Sequence, residues 1–247
     1  MDITGSTAIV TGGASGIGAA VAGHLADLGA HVTVLDRDET AAKEVASALG
    51  GDAVGLDLTD AAAIDAADLE ADILVNNAGV QHVAPVQDFP PDRFAMILRL
   101  MLEAPFLLSR AALPHMYAQG WGRIIHISSA HGLRASAFKS AYVSAKHGLE
   151  GLSKVLALEG AEHGVTSNCV NPGYVRTPLV EKQIPEQAKA LGISEAEVIR
   201  NVMLKETVDG EFTTVQDVAE AALFLAAFKT NALTGQSLIV SHGWFME

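Results

Sequence analysis

Short runs of β-branched and aliphatic residues alternate along the chain with longer segments rich in Ala and Leu. The short runs predict strands at residues 7–11, 31–35, 53–56, 73–75, 123–127, 166–170 and 237–240. The longer segments predict helices near residues 15–28, 39–49, 92–117, 140–163 and 215–228. Because the strands are continuously apolar, helices should cover both faces of the sheet, which is typical of parallel sheets. The expected fold is α/β, a single-domain, doubly wound Rossmann-type sheet of about seven strands over residues 1–247.

Residues 178–210 depart from this alternation, because they are polar and charged and contain Pro185 and Gly192. Their composition predicts a small helical lid over an active site. A plain surface insertion explains the same composition equally well, so both interpretations stay open.

Composition and charge narrow the class of function. The 247 residues are 49% hydrophobic, and 16 basic against 29 acidic residues give a net charge of −13. This charge repels phosphate backbones and acidic membranes, so we expect neither a nucleic-acid nor a membrane partner. The single cysteine, Cys169, cannot form an intrachain disulfide. With no signal peptide or membrane-spanning run expected, we predict a soluble, cytoplasmic protein.

A glycine-rich turn, Thr-Gly-Gly-Ala-Ser-Gly-Ile-Gly at residues 11–18, follows the first predicted strand and opens the first helix. Glycines let the backbone approach a pyrophosphate, and a helix N-terminus offers free N–H groups and the positive end of a dipole. In this strand–turn–helix context the pattern favours a dinucleotide site over a purely structural turn.

Polar residues at the ends of the next strands refine the cofactor prediction. Asp36 ends the second strand, where a carboxylate accepts hydrogen bonds from the adenosine ribose and repels a 2′-phosphate. This favours NAD over NADP, although the adjacent Arg37 can bind a phosphate. Asp57, after the third strand, is placed either to meet the adenine or to begin a helix. Residues 76–79, Asn-Asn-Ala-Gly, close the fourth strand and suit packing against the cofactor.

Tyr142 and Lys146 lie four positions apart, so they share one face of a predicted helix. A free tyrosine has a pKa of about 10, and a nearby ammonium favours the phenolate, so we expect Lys146 to lower the pKa of Tyr142. Ser129 follows the fifth strand, and its hydroxyl can hold a substrate oxygen while Tyr142 exchanges the proton. Alone, a Tyr-x-x-x-Lys pattern usually marks a solvated helix face, but the accompanying motifs make chance a poor explanation.

These motifs, followed in order by Asn171-Pro172-Gly173, resemble the short-chain dehydrogenases/reductases over essentially the whole chain. The resemblance implies that Ser129, Tyr142 and Lys146 are catalytic, and that Lys146 also holds the nicotinamide ribose. It places Thr177 at the carboxamide and Asn76 beside the cofactor. Motifs and resemblance together assign to NAD the residues Gly12, Ser15, Gly16, Ile17, Gly18, Asp36, Asp57, Leu58, Asn76, Ala78, Gly79, Tyr142, Lys146, Pro172, Gly173, Val175 and Thr177.

A closer resemblance, to D-3-hydroxybutyrate dehydrogenases, lies in residues 76–85, 122–151 and 177–183 and in Gly243-Trp244. It implies reversible oxidation of D-3-hydroxybutyrate to acetoacetate, a reaction of ketone-body metabolism, in a homotetramer built on the helices before and around Tyr142. The substrate residues so implied are Gln81, His131, Lys139 and Gln183 at the carboxylate, with Tyr142 at the hydroxyl. Trp244 is either a pocket wall or a terminal core anchor.

The local charge pattern agrees with a small carboxylate substrate. Residues 104–149 contain no Asp or Glu, yet they contain five Arg or Lys residues in a chain that is otherwise acidic. An anion needs such surroundings, because it is costly to desolvate without partners.

Three departures from the family pattern stand out. Met101 takes the place of an Asn that helps a water relay protons to the lysine, and we expect the backbone carbonyl at 101 to hold that water and Pro105 to kink the helix. Tyr174 stands where these dehydrogenases often have Trp, which predicts a wider pocket. His242 lies in Ser-His-Gly-Trp, where Asp-Gly-Gly-Trp is more usual, so the C-terminal contacts should differ.

Other interpretations stay open at this point. The substrate can be another hydroxy acid, an alcohol or an acetoacetyl thioester. A protein of a different class, a non-catalytic NAD-binding scaffold, is compatible with Met101 and His242 as signs of decay. The nine histidines show no metal-ligand spacing, so no metal site is expected.

Overall fold

The computed structural model describes residues 3–246 and contains a seven-stranded sheet in the order β3-β2-β1-β4-β5-β6-β7. The strands are β1 Thr7–Thr11, β2 His31–Asp36, β3 Asp52–Gly55, β4 Ile73–Asn76, β5 Gly122–Ile127, β6 Val165–Pro172 and β7 Ser237–Val240. All neighbouring strands pair in parallel. The predicted doubly wound α/β fold is confirmed.

Helices cover both faces of the sheet. They are α1 Gly16–Asp27, α2 Glu39–Leu49, α3 Ala61–Ala66, α4 Pro91–Leu98, α5 Ala104–Gln119, α6 Ser140–Gly160, α7 Pro178–Leu191, α8 Glu195–Val198 and α9 Val215–Ala226. Helices α1, α2 and α9 bury their apolar sides against one face, and α3, α5 and α6 bury theirs against the other. Because β4, β5 and β6 are buried along their whole length, continuously apolar strands suit this position.

The helix predicted over residues 92–117 is interrupted. Between α4 and α5 the chain forms a π-helical turn at Arg99–Glu103. Pro105 has no N–H, so it cannot donate to the carbonyl of Met101 as an α-helix requires. The turn widens, and the Ala104 N–H donates to the Arg99 carbonyl five residues back. The kink expected at Pro105 therefore takes the form of a π-turn, in which Met101 is buried.

The segment over residues 178–210 is helical, as predicted. It contains α7, α8 and a second π-helical turn at Ile199–Met203, and these pieces enclose a small apolar cluster around Ile184 and Val198. Ser194 begins α8 with a capping box, in which its hydroxyl accepts from the Glu197 N–H and the Glu197 carboxylate accepts from the Ser194 N–H.

The sheet has its switch point between β1 and β4, from which the chain runs outward in opposite directions. The loops that follow these two strands leave a crevice at their carboxyl ends, where ligands bind in open α/β sheets. The same loops meet closely, since a Cβ added to Gly12 would lie 2.9 Å from the Cα of Ala78. The fold thus places the glycine-rich turn and the Asn-Asn-Ala-Gly segment at one site.

Candidate active site

A cleft of about 900 Å³ opens at the switch point, walled by the loops after β1 to β6 and by parts of the helices α4 and α6. It is lined by fifteen of the seventeen residues that the sequence assigned to the cofactor: Gly12, Ser15, Gly16, Ile17, Asp36, Asp57, Leu58, Ala78, Gly79, Tyr142, Lys146, Pro172, Gly173, Val175 and Thr177. The two exceptions, Gly18 and Asn76, lie behind its wall.

The glycine-rich turn is shaped by two close approaches. Gly12 has a φ of +61°, in the left-handed region that favours glycine, and it packs against the loop after β4. Gly18 is buried in α1, where an added Cβ would lie 2.2 Å from the carbonyl oxygen of Gly12. Gly18 therefore supports the turn from behind, and its contact with the cofactor stays a prediction.

The N-terminus of α1 and the end of β2 form two complementary halves of a dinucleotide site. Ser15, the N-cap of α1, makes no side-chain capping bond, and no acidic residue lies in the first turn, so free N–H groups and the positive dipole end face the cleft. The Asp36 carboxylate accepts from the N–H of Ala14 at 3.2 Å and of Asp38 at 3.1 Å. This arrangement fits a diphosphate at the helix and a ribose beside the carboxylate.

Asp57 holds a turn rather than a helix start. Its carboxylate accepts from the backbone N–H of Thr59 at 2.9 Å and from the Thr59 hydroxyl at 2.8 Å, and these bonds lower the pKa of Asp57. The N-cap of α3 is Asp60, which accepts from Ala62 and Ala63. The helix-start interpretation of Asp57 is therefore wrong, and its side chain lines the cleft.

The two asparagines at the end of β4, Asn76 and Asn77, face different surroundings. Asn76 is buried, and its amide donates to Nδ1 of His126 at 3.2 Å, which is possible because burial lowers the pKa of His126 to about 3. Asn77 lines the cleft and donates to the carbonyls of Thr11 at 2.9 Å and Gly12 at 3.1 Å. The sequence placed the segment 76–79 against the cofactor but singled out Asn76 and not Asn77, because adjacent residues leaving a strand point to opposite sides and their sequence does not say which faces the ligand.

The three candidate catalytic residues come together at the deep end of the cleft. Tyr142 and Lys146 lie one turn apart on α6, and Ser129 follows β5. The hydroxyl of Ser129 accepts from the His131 N–H at 3.1 Å and is hydrogen-bonded to Tyr142. The Lys146 ammonium is 5.6 Å from the centre of the Tyr142 ring.

Burial governs the ionisation of this group. It raises the pKa of Tyr142, while the hydrogen bond with Ser129 lowers it, and the balance is a raised pKa. Burial also lowers the pKa of Lys146 to about 8. The Lys146 ammonium donates to the Ile127 carbonyl at 2.6 Å rather than to the phenol, and the lowering of the Tyr142 pKa expected from it does not outweigh burial.

The candidate substrate residues form a second, buried cluster next to Tyr142. Gln81 lines the main cleft, and its Oε1 is buried with no hydrogen-bond partner among the described residues. The other four, His131, Lys139, Gln183 and Trp244, are buried, and three of them, His131, Lys139 and Trp244, gather around Tyr174.

The His131 ring is the centre of this cluster. It lies 6.0 Å from the Tyr142 ring, 6.4 Å from the Tyr174 ring and 5.2 Å from the Trp244 ring. Burial, reinforced by the nearby charge of Lys139, lowers the pKa of His131 to about 3, so the ring is neutral. One ring nitrogen is hydrogen-bonded to the Ser136 hydroxyl at 2.8 Å, which fixes its orientation.

Lys139 is the cation of the cluster. Its side chain is 7% exposed, and its ammonium donates to the Tyr174 hydroxyl at 3.1 Å. Within residues 3–246, no carboxylate lies within ion-pair distance of it. Among residues 3–246, the Tyr174 hydroxyl is the one hydrogen-bond partner of this ammonium, a contact that the sequence did not predict.

The other departures also have structural consequences. Met101 lines the cleft from the π-turn, and its methyl group would lie 3.3 Å from a Cβ added to Gly79. His242 adopts a φ of +50° and pairs through Nδ1 with Asp209 at 2.6 Å. This pair ties the C-terminal segment to the end of the helical segment over residues 178–210, and Arg134 forms a second tie to Glu206 at 2.6 Å.

Two classes of site are not represented in the part of the chain that the structure describes. No group of three or more His, Cys, Asp or Glu side chains there is arranged to hold a metal ion. Among the helices of residues 3–246, none combines the length and hydropathy that crossing a bilayer requires.

Comparison with known proteins identifies close relatives. A model of the short chain dehydrogenase family matches residues 6–188. A D-beta-hydroxybutyrate dehydrogenase of Rhizobium meliloti is 47% identical over 96% of this chain and 98% of its own length. A protein of the same name from Cupriavidus necator is 44% identical over 99% of this chain and 100% of its own length.

A solved structure extends the likeness to three dimensions. The protein, from Beutenbergia cavernae, is assigned as an NAD(P)-dependent gluconate 5-dehydrogenase and was solved with NADP bound at low occupancy. It is 34% identical, covers 98% of each chain, and superimposes with a TM-score of 0.86.

Proposed function

The chain belongs to the short-chain dehydrogenase family, and from this premise we propose that it catalyses the reversible, NAD-dependent oxidation of D-3-hydroxybutyrate to acetoacetate. The observation that carries the proposal is Lys139, a buried ammonium with no carboxylate partner among the described residues, in the cluster beside Tyr142. An unpaired buried cation is costly, and a substrate carboxylate supplies the missing charge. The names of the two relatives support the choice of hydroxy acid.

The chemistry assigned to the chain is a proton transfer. When bound, the nicotinamide accepts the hydride that leaves the carbinol carbon. Tyr142, as the phenolate, takes the proton of the substrate hydroxyl, so a ketone forms and the phenol is restored. Ser129 donates a hydrogen bond to the oxygen that becomes the carbonyl. In the reverse direction the neutral phenol of Tyr142 returns its proton to that oxygen.

Orientation of the substrate falls to the buried cluster. Lys139 holds the carboxylate by charge, while Gln81, Gln183 and the neutral His131 add hydrogen bonds. The side wall of the pocket is formed by Trp244, whose ring lies 6.1 Å from that of Tyr174. These contacts fix the carbinol carbon while Tyr142 engages the hydroxyl.

The cofactor proposal rests on Asp36. Its carboxylate lines the cleft in an orientation set by two backbone N–H groups, where it can bind both ribose hydroxyls of NAD and repel the extra phosphate of NADP. Two observations favour the competing cofactor, NADP: Arg37 lines the same cleft, and the Beutenbergia relative binds NADP. Steady-state kinetics with each cofactor decide between the two, and a higher kcat/KM with NADP would overturn this part of the proposal.

A panel of substrates tests the function directly. The purified protein is assayed with NAD against both enantiomers of 3-hydroxybutyrate, longer 3-hydroxy acids and the methyl ester of 3-hydroxybutyrate, and with NADH against acetoacetate and acetoacetyl thioester. The expected result is the highest kcat/KM for D-3-hydroxybutyrate in oxidation and for acetoacetate in reduction. Faster turnover of the thioester would favour the reductase alternative. Tight NADH binding without turnover of any hydroxy acid would favour the non-catalytic scaffold.

The assembly, location and domain organisation are proposed from features outside the cleft. Apolar side chains are exposed on α5 and α6, with Phe106 48%, Val155 49% and Leu158 79% accessible, which supports a homotetramer built on these helices. Light scattering should then give a mass about four times the chain mass of 25.7 kDa.

The free, buried thiol of Cys169 supports a cytoplasmic location. One continuous sheet supports a single domain over residues 1–247, with residues 178–210 as its lid.

A further inference from the structure

One face of α6 carries a third ionisable residue in line with the two candidate catalytic ones. Tyr142, Lys146 and Glu150 follow one another at intervals of four residues, so they form a stripe along the helix. Glu150 is 5% exposed, although carboxylates are rarely buried unless they are paired. Neither the motifs of the sequence nor the proposed chemistry uses this residue.

The Glu150 carboxylate is held by two short hydrogen bonds. Its Oε1 accepts from Nδ2 of Asn171 at 2.6 Å, and its Oε2 accepts from the hydroxyl of Ser237 at 2.6 Å. Distances this short are typical of hydrogen bonds to a charged acceptor. The carboxylate therefore joins α6 to β6 and β7 behind the cleft.

Asn171 carries the connection on to Ser129. The same Nδ2 donates its second hydrogen to the carbonyl oxygen of Ser129 at 2.9 Å. An amide nitrogen whose two hydrogens are aimed at two fixed acceptors cannot rotate without losing one of them. Glu150 thus sets the orientation of Asn171, and Asn171 sets the main chain that carries the Ser129 hydroxyl.

The charge of Glu150 acts on Lys146 as well. Lys146 is 4% exposed and faces Tyr142 and Glu150 on its own helix, His126 on β5 and Cys169 on β6. Burial lowers the pKa of Lys146 to about 8, and the carboxylate of Glu150 acts against that fall. His126 is neutral, because its pKa is lowered to about 3, and burial raises the pKa of the Cys169 thiol, which leaves Glu150 as the carboxylate one helical turn from Lys146.

We propose that Glu150 is a positioning residue for the dehydrogenase reaction, which orients Ser129 through Asn171 and keeps the Lys146 ammonium charged. The expected effect on kcat rests on the proposed function. The expected effect on the pKa of Lys146 can be measured without any substrate. The cost of burying the carboxylate is offset by its short hydrogen bonds from Asn171 and Ser237.

The test replaces Glu150 by Gln, which keeps the shape of the side chain and removes its charge. In the Glu150→Gln variant we expect kcat for hydroxybutyrate oxidation to fall about tenfold, with the KM values for NAD and substrate within about twofold. We expect the pKa of Lys146, followed by NMR of ¹³C-labelled lysine, to fall by about one unit, since one nearby charge is lost. The alkaline limb of the kcat profile should move to lower pH by the same amount.

Glu159→Gln is the matched control. Glu159 is exposed near the far end of the same helix, so the same loss of charge there should change neither the titration of Lys146 nor the pH profile. A lower kcat in Glu150→Gln with an unmoved alkaline limb and an unmoved Lys146 titration would reduce Glu150 to a structural role and overturn the proposal.

Two other results, an inactive wild-type protein and a variant that does not fold, are distinguished from a failure of the Glu150 proposal. If the wild-type protein does not turn over hydroxybutyrate, the proposed function fails, yet the Lys146 titration still tests the electrostatic link. If Glu150→Gln does not fold, Ser237→Ala removes one donor to the same carboxylate from a half-buried position. It loosens the carboxylate while it leaves the charge and the bond to Asn171 in place, so kcat should fall by a smaller factor with KM unchanged, and a kcat equal to that of the wild type would contradict the proposal.

Discussion

Replacing Lys139 by Met removes an ammonium from the buried cluster while it keeps an unbranched side chain of similar length. The ammonium donates to the Tyr174 hydroxyl at 3.1 Å, and its side chain is 7% exposed, so water cannot readily take its place beside a bound carboxylate. A hydrogen bond to a charged group contributes about 1.5–3 kcal/mol. Since about 1.4 kcal/mol is a factor of ten, the loss should raise the KM for D-3-hydroxybutyrate about 10- to 150-fold.

The assay follows NADH formation with two substrates, D-3-hydroxybutyrate and its methyl ester. The ester has no carboxylate and so makes no ion contact with Lys139. Its kcat/KM should therefore change less than threefold in Lys139→Met. Lys154→Met is the control, because Lys154 is an exposed lysine on α6. Equal losses for the acid and the ester, or an unchanged KM for the acid, would refute the assignment of Lys139 to the carboxylate.

Four further predictions follow from the cleft. Because burial raises the pKa of Tyr142, the phenolate fraction and the oxidation rate should increase with pH until Lys146, whose pKa is about 8, loses its proton, and an oxidation rate that falls with rising pH before that point would contradict the role of Tyr142 as base. Asp36→Ser should lower kcat/KM for NAD about tenfold or more and raise that for NADP, as measured by steady-state kinetics with both cofactors. Met101→Asn should change kcat less than about tenfold, because a main-chain carbonyl remains available in the π-turn; a larger gain would show that Met101 impairs proton relay. Tyr174→Phe removes the hydroxyl that accepts from Lys139 and should alter the KM for hydroxybutyrate by about threefold to tenfold with little change in kcat. A loss confined to kcat would argue against a role of this hydroxyl in substrate binding.

The fold was accessible from the pattern of apolar residues, because a parallel sheet covered on both faces leaves continuous apolar strands between amphipathic helices. The pattern was insufficient where one residue changes the backbone. Pro105 could be recognised as a kink, but its missing N–H does not by itself specify that the Ala104 N–H donates to the Arg99 carbonyl and widens the helix into a π-turn. The six residues of α3 are too few to show a helical period, and that helix was not predicted.

The local spacing of residues determined much of the site. Tyr142 and Lys146 share a face because a helix repeats every 3.6 residues, and Gly12 follows a strand directly, so both placements depend on near neighbours in the chain. The sequence also identified Lys139 and His131, through resemblance, as candidates for one pocket. None of this required knowledge of distant contacts.

Only the tertiary structure decided the contacts between residues that are far apart in the chain. It brought Tyr174 to Lys139, Glu150 to Asn171 and Asp209 to His242, and it turned Asn77 instead of Asn76 toward the cleft. It also decided that burial, and not the neighbouring ammonium, dominates the pKa of Tyr142. The physical reason is common to these cases, because hydrogen-bond partners and solvent exclusion are set by which elements pack together, whereas helix faces and turns are set by the backbone's own repeat.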